Sequence, residues 1–448
     1  MGKKDRKDIE TSIKRGKKKI IPFSFLNVKF DTIDRNTVKR HLLFLIIASL
    51  ITKLLILFVT TSVFHSFIDF FDFQYYFEHA LLVTNGKIPY VDFSFDYPPL
   101  AFIPIFLAFI PAFILNNIFA FVYSFQILMV VCDTIIIICI YFIGLKIYNE
   151  KTAFIAAVLY STAFSVAYFV LTKYDAFPTC ILMIAVLFTI YGMNVRGYFA
   201  AIFGFFTKIF PVISLPFMVL YNAKTTSLKK ELFTVLKIGI PVTVILLLPI
   251  VLLKPGVLIS YFSSSLVRTD LYVNTASYSL YAYLHDVLNL GISTTVISNI
   301  MYFLMGVAVL VLVVIAYNVP GKNPRHLVKL LLLSIFIVVF CMKYHSPQYI
   351  VWFTPFVCLL IADTLYGIIT FYFTQILTYL EFPLLFGTLY TNGTYVSPMG
   401  SYGWYLALFF FTLLYAAYIV LIYLAVKPLL PDVKKYKVDF EKIFIKKR

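Results

Sequence analysis

The chain has 448 residues, of which 61% are hydrophobic, 19% aromatic and 13% charged. A soluble domain carries about 25% charged residues, so this composition excludes a water-soluble globule and predicts an all-α, polytopic membrane protein. The net charge of +17 does not make it a nucleic-acid binder: 13 of the 38 Lys and Arg lie in residues 1–40 and 8 in residues 427–448. Basic tails of that kind flank membrane segments on the cytoplasmic side and contact anionic lipid, and without an accompanying motif no nucleic-acid partner is expected.

In chain order, residues 1–40 form a basic tail, too polar for a cleavable signal and expected in the cytoplasm. The run 41–63 follows, long enough for a hydrocarbon layer that needs about 20 apolar residues. It leads outward into an acidic segment, 64–97, with Asp69, Asp72, Glu78, Asp92, Asp96 and a single Lys87. The stretch 98–115 is short and holds Pro98, Pro99, Pro104 and Pro111. Proline in a helix interior costs about 3 kcal/mol, so an interfacial or re-entrant helix is expected there rather than a crossing.

The first return crossing is then 118–143, with GLKIYNEK (144–151) inside. The run 152–171 goes out to TKYD (172–175), and 176–192 comes back. The stretch 197–222 reads as two short helices with a bend near Lys208 and Pro211. Further crossings are 235–253, 291–317, 330–343, two within 349–391, and 403–426, with a second external loop at 254–290. That makes about twelve spans, two of them short. The expected organisation is a basic tail (1–40), a membrane-embedded domain (41–426) whose first external loop is 64–117, and a basic tail (427–448). Both termini are cytoplasmic in this reading. The five cysteines, Cys132, Cys139, Cys180, Cys341 and Cys358, have no metal-ligand spacing and read as small hydrophobes.

This topology puts Lys173, Asp175, Lys208, Lys343, His345 and Gln348 on the same face as the acidic loop. Ionisable groups near bilayer depth cost about 2.5–3.5 kcal/mol each and usually face a cavity or one another. A membrane enzyme acting on a polar group at the outer surface is the reading that uses them. Asp69 and Asp72 lie in aromatic surroundings that desolvate a carboxylate and raise its basicity; a solvated acidic loop is the plain alternative. In DYPPL (96–100) the tandem prolines hold Asp96 and Tyr97 rigidly, either as a simple helix start or as the mouth of a site.

Lys208 and Lys173, with Arg268 as a third candidate, are either snorkelling anchors or ligands for a lipid phosphate. His345 and Gln348 either cap a helix or hydrogen-bond a sugar, and Asp133, with no cation near it in sequence, reads as an interhelical hydrogen-bonding group. Asn392-Gly393-Thr394 has the N-glycosylation pattern. There is no nucleotide-binding glycine motif, no His/Cys metal cluster and no internal repeat. An external site without nucleotide access draws an activated sugar from a lipid carrier.

The stretch DFQYYFEHALLVTNGKIPYVDFSFDYPPL (72–100) resembles the first external loop of GT-C glycosyltransferases, above all the family 87 polyprenyl-phosphate-mannose mannosyltransferases, through Asp72, Gly86, Pro89, Tyr90, Tyr97, Pro98 and Pro99. FFTKIFPVISLPF (205–217) is similar to their Lys-x-x-Pro segment, and SPQYIVW (346–352) to a motif of the GPI mannosyltransferases. The family's loop often carries Asp-x-Asp, whereas this chain has Asp69-x-x-Asp72, which leaves both acids as candidate base.

The resemblance implies inverting transfer of a hexose, mannose first, from a polyprenyl (dolichyl) phosphate donor to a glycan or glycolipid acceptor at the outer face of the cell membrane. Asp72 or Asp69 would be the catalytic base, and Lys208, Lys173 and Arg268 would bind the donor phosphate. Glu78, Asp96, Tyr97, Asp175, His345 and Gln348 would bind substrate. No cofactor is called for, and assistance by a divalent cation stays open. The alternative is a transporter or flippase of lipid-linked sugars, which predicts ionisable groups near the bilayer midplane.

Overall fold

Inside a hydrocarbon layer no water is at hand for backbone N–H and C=O groups, so an apolar chain closes its hydrogen bonds within helices. A computed structural model describes residues 34–64, 70–257, 259 and 271–427, and these are almost wholly helical. The chain divides into two compact units, Met1–Phe44 and Leu45–Arg448. Of the first, residues 34–44 are described, the opening of the first helix, where Arg40 donates to Thr37 Oγ1 at 3.4 Å.

The helices of the described residues are α1 (Arg35–Phe58, carried on to Val63 by a π-turn), α2 (Phe71–Thr84), α3 (Phe102–Leu115), α4 (Ile118–Ile147), α5 (Glu150–Ser161) and α6 (Phe164–Thr172). They continue as α7 (Ala176–Ile190), α8 (Asn194–Phe205), α9 (Ser214–Ala223), α10 (Leu228–Leu253) and α11 (Ala276–Ala282). The last are α12 (Thr294–Asn318), α13 (Pro324–Cys341), α14 (Ile350–Ile361), α15 (Leu365–Tyr379) and α16 (Tyr402–Val426). A two-stranded hairpin, β1 (Tyr390–Thr391) and β2 (Thr394–Tyr395), turns through Asn392 and Gly393 at φ +46° and +79°. That is the left-handed pair which an Asn-Gly turn supplies.

Six of the described helices are long and apolar enough to cross a membrane: α1 with its π-turn, α4, α10, α12, α13 and α16. They coincide with six of the expected crossings. Pro99–Leu115 is a short apolar helix entered through a 3₁₀ turn, Pro99–Ala101. The expected single crossing 152–171 is instead a broken pair, α5 and α6, bent by 55°. No Gly or Pro marks the break. Tertiary bonds compensate it: Ser165 N donates to Gln375 Oε1 at 3.2 Å, and the Ser165 hydroxyl donates to the Gln375 carbonyl. The expected crossing 176–192 is α7, 15 residues long, which alone falls short of the layer.

Burial sorts these helices into an outer and an inner set. The most apolar window of α10 has no buried residue, and Leu236, Ile240, Val244 and Ile245 stand exposed along it. Such a face is suited to lipid. In α14 every residue is buried, and it packs against α4, α5, α7, α13 and α16. Asparagines set the short links that hold the inner helices in place. Asn116 ends α3 in the left-handed region (φ +48°), Asn117 accepts from Phe119 N to start α4, and Asn149 does the same for α5 through Thr152 N.

The Asp133 carboxylate in the middle of α4 does have a cation. Lys53 Nζ of α1 lies 2.6 Å from Asp133 Oδ2, Ser49 Oγ donates to the same oxygen at 3.2 Å, and Tyr160 Oη donates to Oδ1 at 3.0 Å. All of this is buried. An unpaired charge there would be costly, so this network ties α1, α4 and α5 together.

Candidate functional site

Helix α2 places Asp72 in its first turn and turns Phe73, Tyr76 and Ala80 inward. The inward face follows from i, i+3 and i+4 spacing. Phe73 and Tyr76 pack on Phe125 of α4 with ring centroids 5.6 Å apart in each case. That contact fixes the helix and brings Asp72 Oδ2 to 2.9 Å from Lys173 Nζ. The Asp72 side chain retains 19% exposure while Lys173 is 7% exposed, so the carboxylate is the member of the pair that solvent or a substrate reaches.

Lys173 terminates α6 in an extended conformation, and Asp175 opens α7. Between them Tyr174 donates to the Thr207 carbonyl at 3.1 Å. This link ties the segment to the bend after α8, where Lys208 sits before a 3₁₀ turn, Phe210–Ile213. The bend is possible because Gly204 lets the chain close up: a Cβ there would meet Pro211 Cβ at 3.0 Å. Lys208 Nζ then lies 2.6 Å from Asp175 Oδ1, and Trp352 Nε1 donates to the same oxygen. Asp175 is fully buried, and its Oδ2 has no hydrogen-bond partner.

The Lys208 ammonium is also caged by aromatic faces. It lies 5.6 Å from the Tyr97 ring centroid, 5.7 Å from Tyr349 and 5.1 Å from Trp352. Rings at this range attract a cation through their quadrupole. Tyr97 stands between the two ion pairs. Its hydroxyl meets that of Tyr76 at 3.1 Å, the Tyr90 hydroxyl donates to its carbonyl, and Leu100 N donates to the Phe206 carbonyl at 2.8 Å. The rigid DYPPL segment is thereby pinned to the Lys208 bend. Burial, followed by the negative charge of Asp72, holds the Tyr97 hydroxyl well above the usual tyrosine range. It is a neutral hydrogen-bonding group throughout the physiological range.

A second region adjoins the first through Lys173. A cavity of about 170 Å³ is lined by Lys173, Asn274, His345, Gln348, Phe382 and Tyr390 among others. Asn274 Nδ2 donates to Glu381 Oε1 and to the His345 carbonyl, both at 3.3 Å. His345 Nε2 and Glu381 Oε2 are 3.9 Å apart, too far for a hydrogen bond. Burial pushes the His345 imidazole down to about 3, so the ring is neutral.

Of the residues expected from sequence, Asp72, Lys173, Asp175, Lys208 and Tyr97 come together, and His345 and Gln348 line the adjoining cavity. Glu78 is exposed and accepts from Gln74 Nε2 at 2.7 Å. Asp96 is exposed, and its backbone N–H donates to Tyr75 Oη at 3.1 Å. Asp69 and Arg268 lie outside the described residues.

Trp352 and Tyr349 read in sequence as interface anchors, whereas here they cage Lys208. Nothing in the sequence marks Asn274, and a lone acid in the apolar stretch 365–390 is the available signal for Glu381. Among the described residues no three His, Cys, Asp or Glu side chains converge as a metal site. No protein-family model matches the chain, and no curated protein matches it.

Proposed function

We propose that this chain is a membrane glycosyltransferase that moves a hexose, mannose in the first instance, from a polyprenyl-phosphate carrier to a glycan or glycolipid acceptor. The observation that carries this reading is the arrangement of two lysines, each paired with a carboxylate and joined through the Lys173–Asp175 link, with Tyr97 against Lys208. A dianion-ready pair of cations beside a solvent-reachable acid is what glycosyl transfer from a phosphate ester needs. The Asp72 carboxylate takes the proton of the acceptor hydroxyl as its oxygen bonds to the anomeric carbon. The bond from that carbon to the phosphate oxygen breaks with inversion, and the carrier leaves as a phosphate monoester with one more negative charge. Lys173 and Lys208 stand where that charge develops, fixed in advance by their partners, and preorganised charge of this kind is a large catalytic term. Donor phosphate competing for Lys173 also frees Asp72, which couples donor binding to the availability of the base.

An apolar groove supports lateral entry of a lipid tail. It has a volume of about 370 Å³ and runs between α8, α9 and α10 along Ile202, Phe205, Phe206, Leu236 and Ile240. Phe206 is two residues from Lys208. In this proposal the fold is GT-C-like, the short apolar helices complete about twelve crossings, and the site faces outward across the cell membrane. A lipid-linked sugar transporter is the second reading, favoured by the Lys53–Asp133 pair midway along α1 and α4. Those two groups are satisfied by each other, Ser49 and Tyr160, as a structural clamp would be.

The test is transfer by the purified chain in liposomes, with radiolabelled polyprenyl-phosphate mannose or nucleotide-linked mannose supplied in parallel to a glycolipid extract. Label is expected in glycan from the lipid donor alone. Transfer from the nucleotide donor, or movement of the lipid donor across the bilayer without transfer, contradicts the proposal.

A further inference from the structure

Asn274 and His345 line the cavity beside Lys173, Glu381 stands behind them on Asn274, and polar atoms of all three are left unsatisfied. Asn274, His345 and Glu381 are buried, and Asn274 Oδ1, both ring nitrogens of His345 and Glu381 Oε2 have no hydrogen-bond partner. Buried polar groups are paired in the great majority of cases, and each exception calls for a reason. Four such atoms on three residues linked by Asn274 are not scattered accidents of packing. A neutral imidazole offers one donor and one acceptor, and the Asn274 amide oxygen offers a further acceptor. The set is therefore mixed, which suits hydroxyl groups, since each of these both donates and accepts.

The remaining wall is aromatic: Phe169, Phe382, Phe386 and Tyr390 line the same space. Water alone needs polar partners on its sides, whereas flat apolar faces with hydrogen-bonding groups at one edge match the two kinds of surface on a pyranose ring. The volume, about 170 Å³, lies below the roughly 300–1,000 Å³ of pockets for drug-sized ligands. It fits one ring, not an oligosaccharide. Lys173 belongs to this wall and also to the ion pair with Asp72, so a ring held here has its anomeric end toward the cations.

We infer that Asn274 and His345, with Glu381 fixing Asn274 from behind, form the recognition subsite for the single uncharged sugar ring of the donor, with Gln348 at its margin. The inference rests on the glycosyltransferase reading and adds to it the residues that distinguish a sugar-bearing carrier from the bare carrier.

The experiment compares the full chain in nanodiscs with its Glu381→Gln and Gln348→Met variants. Binding is measured for a short polyprenyl-phosphate mannose and for the same polyprenyl phosphate without sugar, alongside thermal unfolding. Glu381→Gln keeps the side-chain shape, and Gln348→Met removes polarity at a second point should the first variant fold poorly. The expected result is weaker binding of the sugar-bearing lipid by at least about tenfold, with the bare phosphate bound as by the wild type. Unchanged binding of both lipids means that the cavity holds only water and overturns the inference, while leaving the function proposal standing. Equal loss of both lipids in a well-folded variant also overturns it. Failure of the wild type to bind either lipid overturns the glycosyltransferase reading itself, and the inference with it.

Discussion

Lys173 and Asp175 stand two positions apart in the link between α6 and α7, yet they close ion pairs with different partners: Lys173 with Asp72 at 2.9 Å and Asp175 with Lys208 at 2.6 Å. Tyr174, between them, bonds to the Thr207 carbonyl. One short link therefore couples the acidic loop on one side to the bend after α8 on the other. The bond energy is not the point of interest, because ion pairs seldom add much net stability. What matters is that both lysines are held at fixed positions around Tyr97.

Lys208→Met removes the cation that bonds to the fully buried Asp175 carboxylate. Stranding one partner of a buried pair costs about 3–5 kcal/mol, so denaturant unfolding of this variant is expected to be strongly destabilised. The double variant Lys208→Met/Asp175→Leu recovers most of that stability but no transfer activity. Recovery of activity with stability would show that Lys208 has a packing role alone.

Lys53→Met is expected to destabilise by a similar amount, about 3–5 kcal/mol, because Asp133 is then left with Ser49 and Tyr160 only. Here the double variant Lys53→Met/Asp133→Leu restores both stability and transfer. Loss of function in a stable double variant would mean that this pair carries protons or ions, in favour of the transporter reading.

His345 gives a pH signature. Its folded-state pKa, about 3, is below the ordinary value of 6.5. The unfolded chain therefore takes up a proton that the folded chain refuses. The His345 contribution to stability is full above about pH 6.5 and falls progressively as pH drops toward 3. Thermal unfolding from pH 7.5 to about pH 5 should show this loss, and His345→Gln should flatten it. Equal pH dependence in both proteins contradicts a buried neutral imidazole.

Tyr97→Phe keeps the ring beneath the Lys208 ammonium and deletes the hydroxyl that meets Tyr76. Removal of one neutral hydrogen bond costs about 0.5–1.5 kcal/mol, so a modest loss of stability is expected, with donor affinity preserved. Tyr97→Leu, which removes the ring, should weaken the donor as well. Equal donor affinity in the two variants would leave the cation–ring contact without a role.

Much of this site was legible because charge is scarce in an apolar chain. Lys173, Asp175 and Lys208 stand out for that reason, and the basic tails assign them to the face of Asp72. The bend at Lys208 followed from Pro211 and from a stretch too short for two crossings. Other features depend on contacts that leave no local trace. Lys53 and Asp133 are 80 positions apart, and the break between α5 and α6 is held by Gln375 rather than by a proline. Trp352 resembles an ordinary interface aromatic because a cage around a cation is a property of three separate segments at once. The span count was hardest, since helices such as α7 are shorter than the layer they were expected to cross.

The central claim is that Asp72 is the base of a transfer reaction whose donor phosphate sits on Lys173 and Lys208. Single-turnover transfer from radiolabelled polyprenyl-phosphate mannose, in liposomes holding wild-type or Asp72→Asn protein at matched folded amounts, tests it most directly. The account predicts a fall of about 10²–10⁴-fold in the variant, with donor still bound. A variant that transfers mannose at the wild-type rate would contradict it.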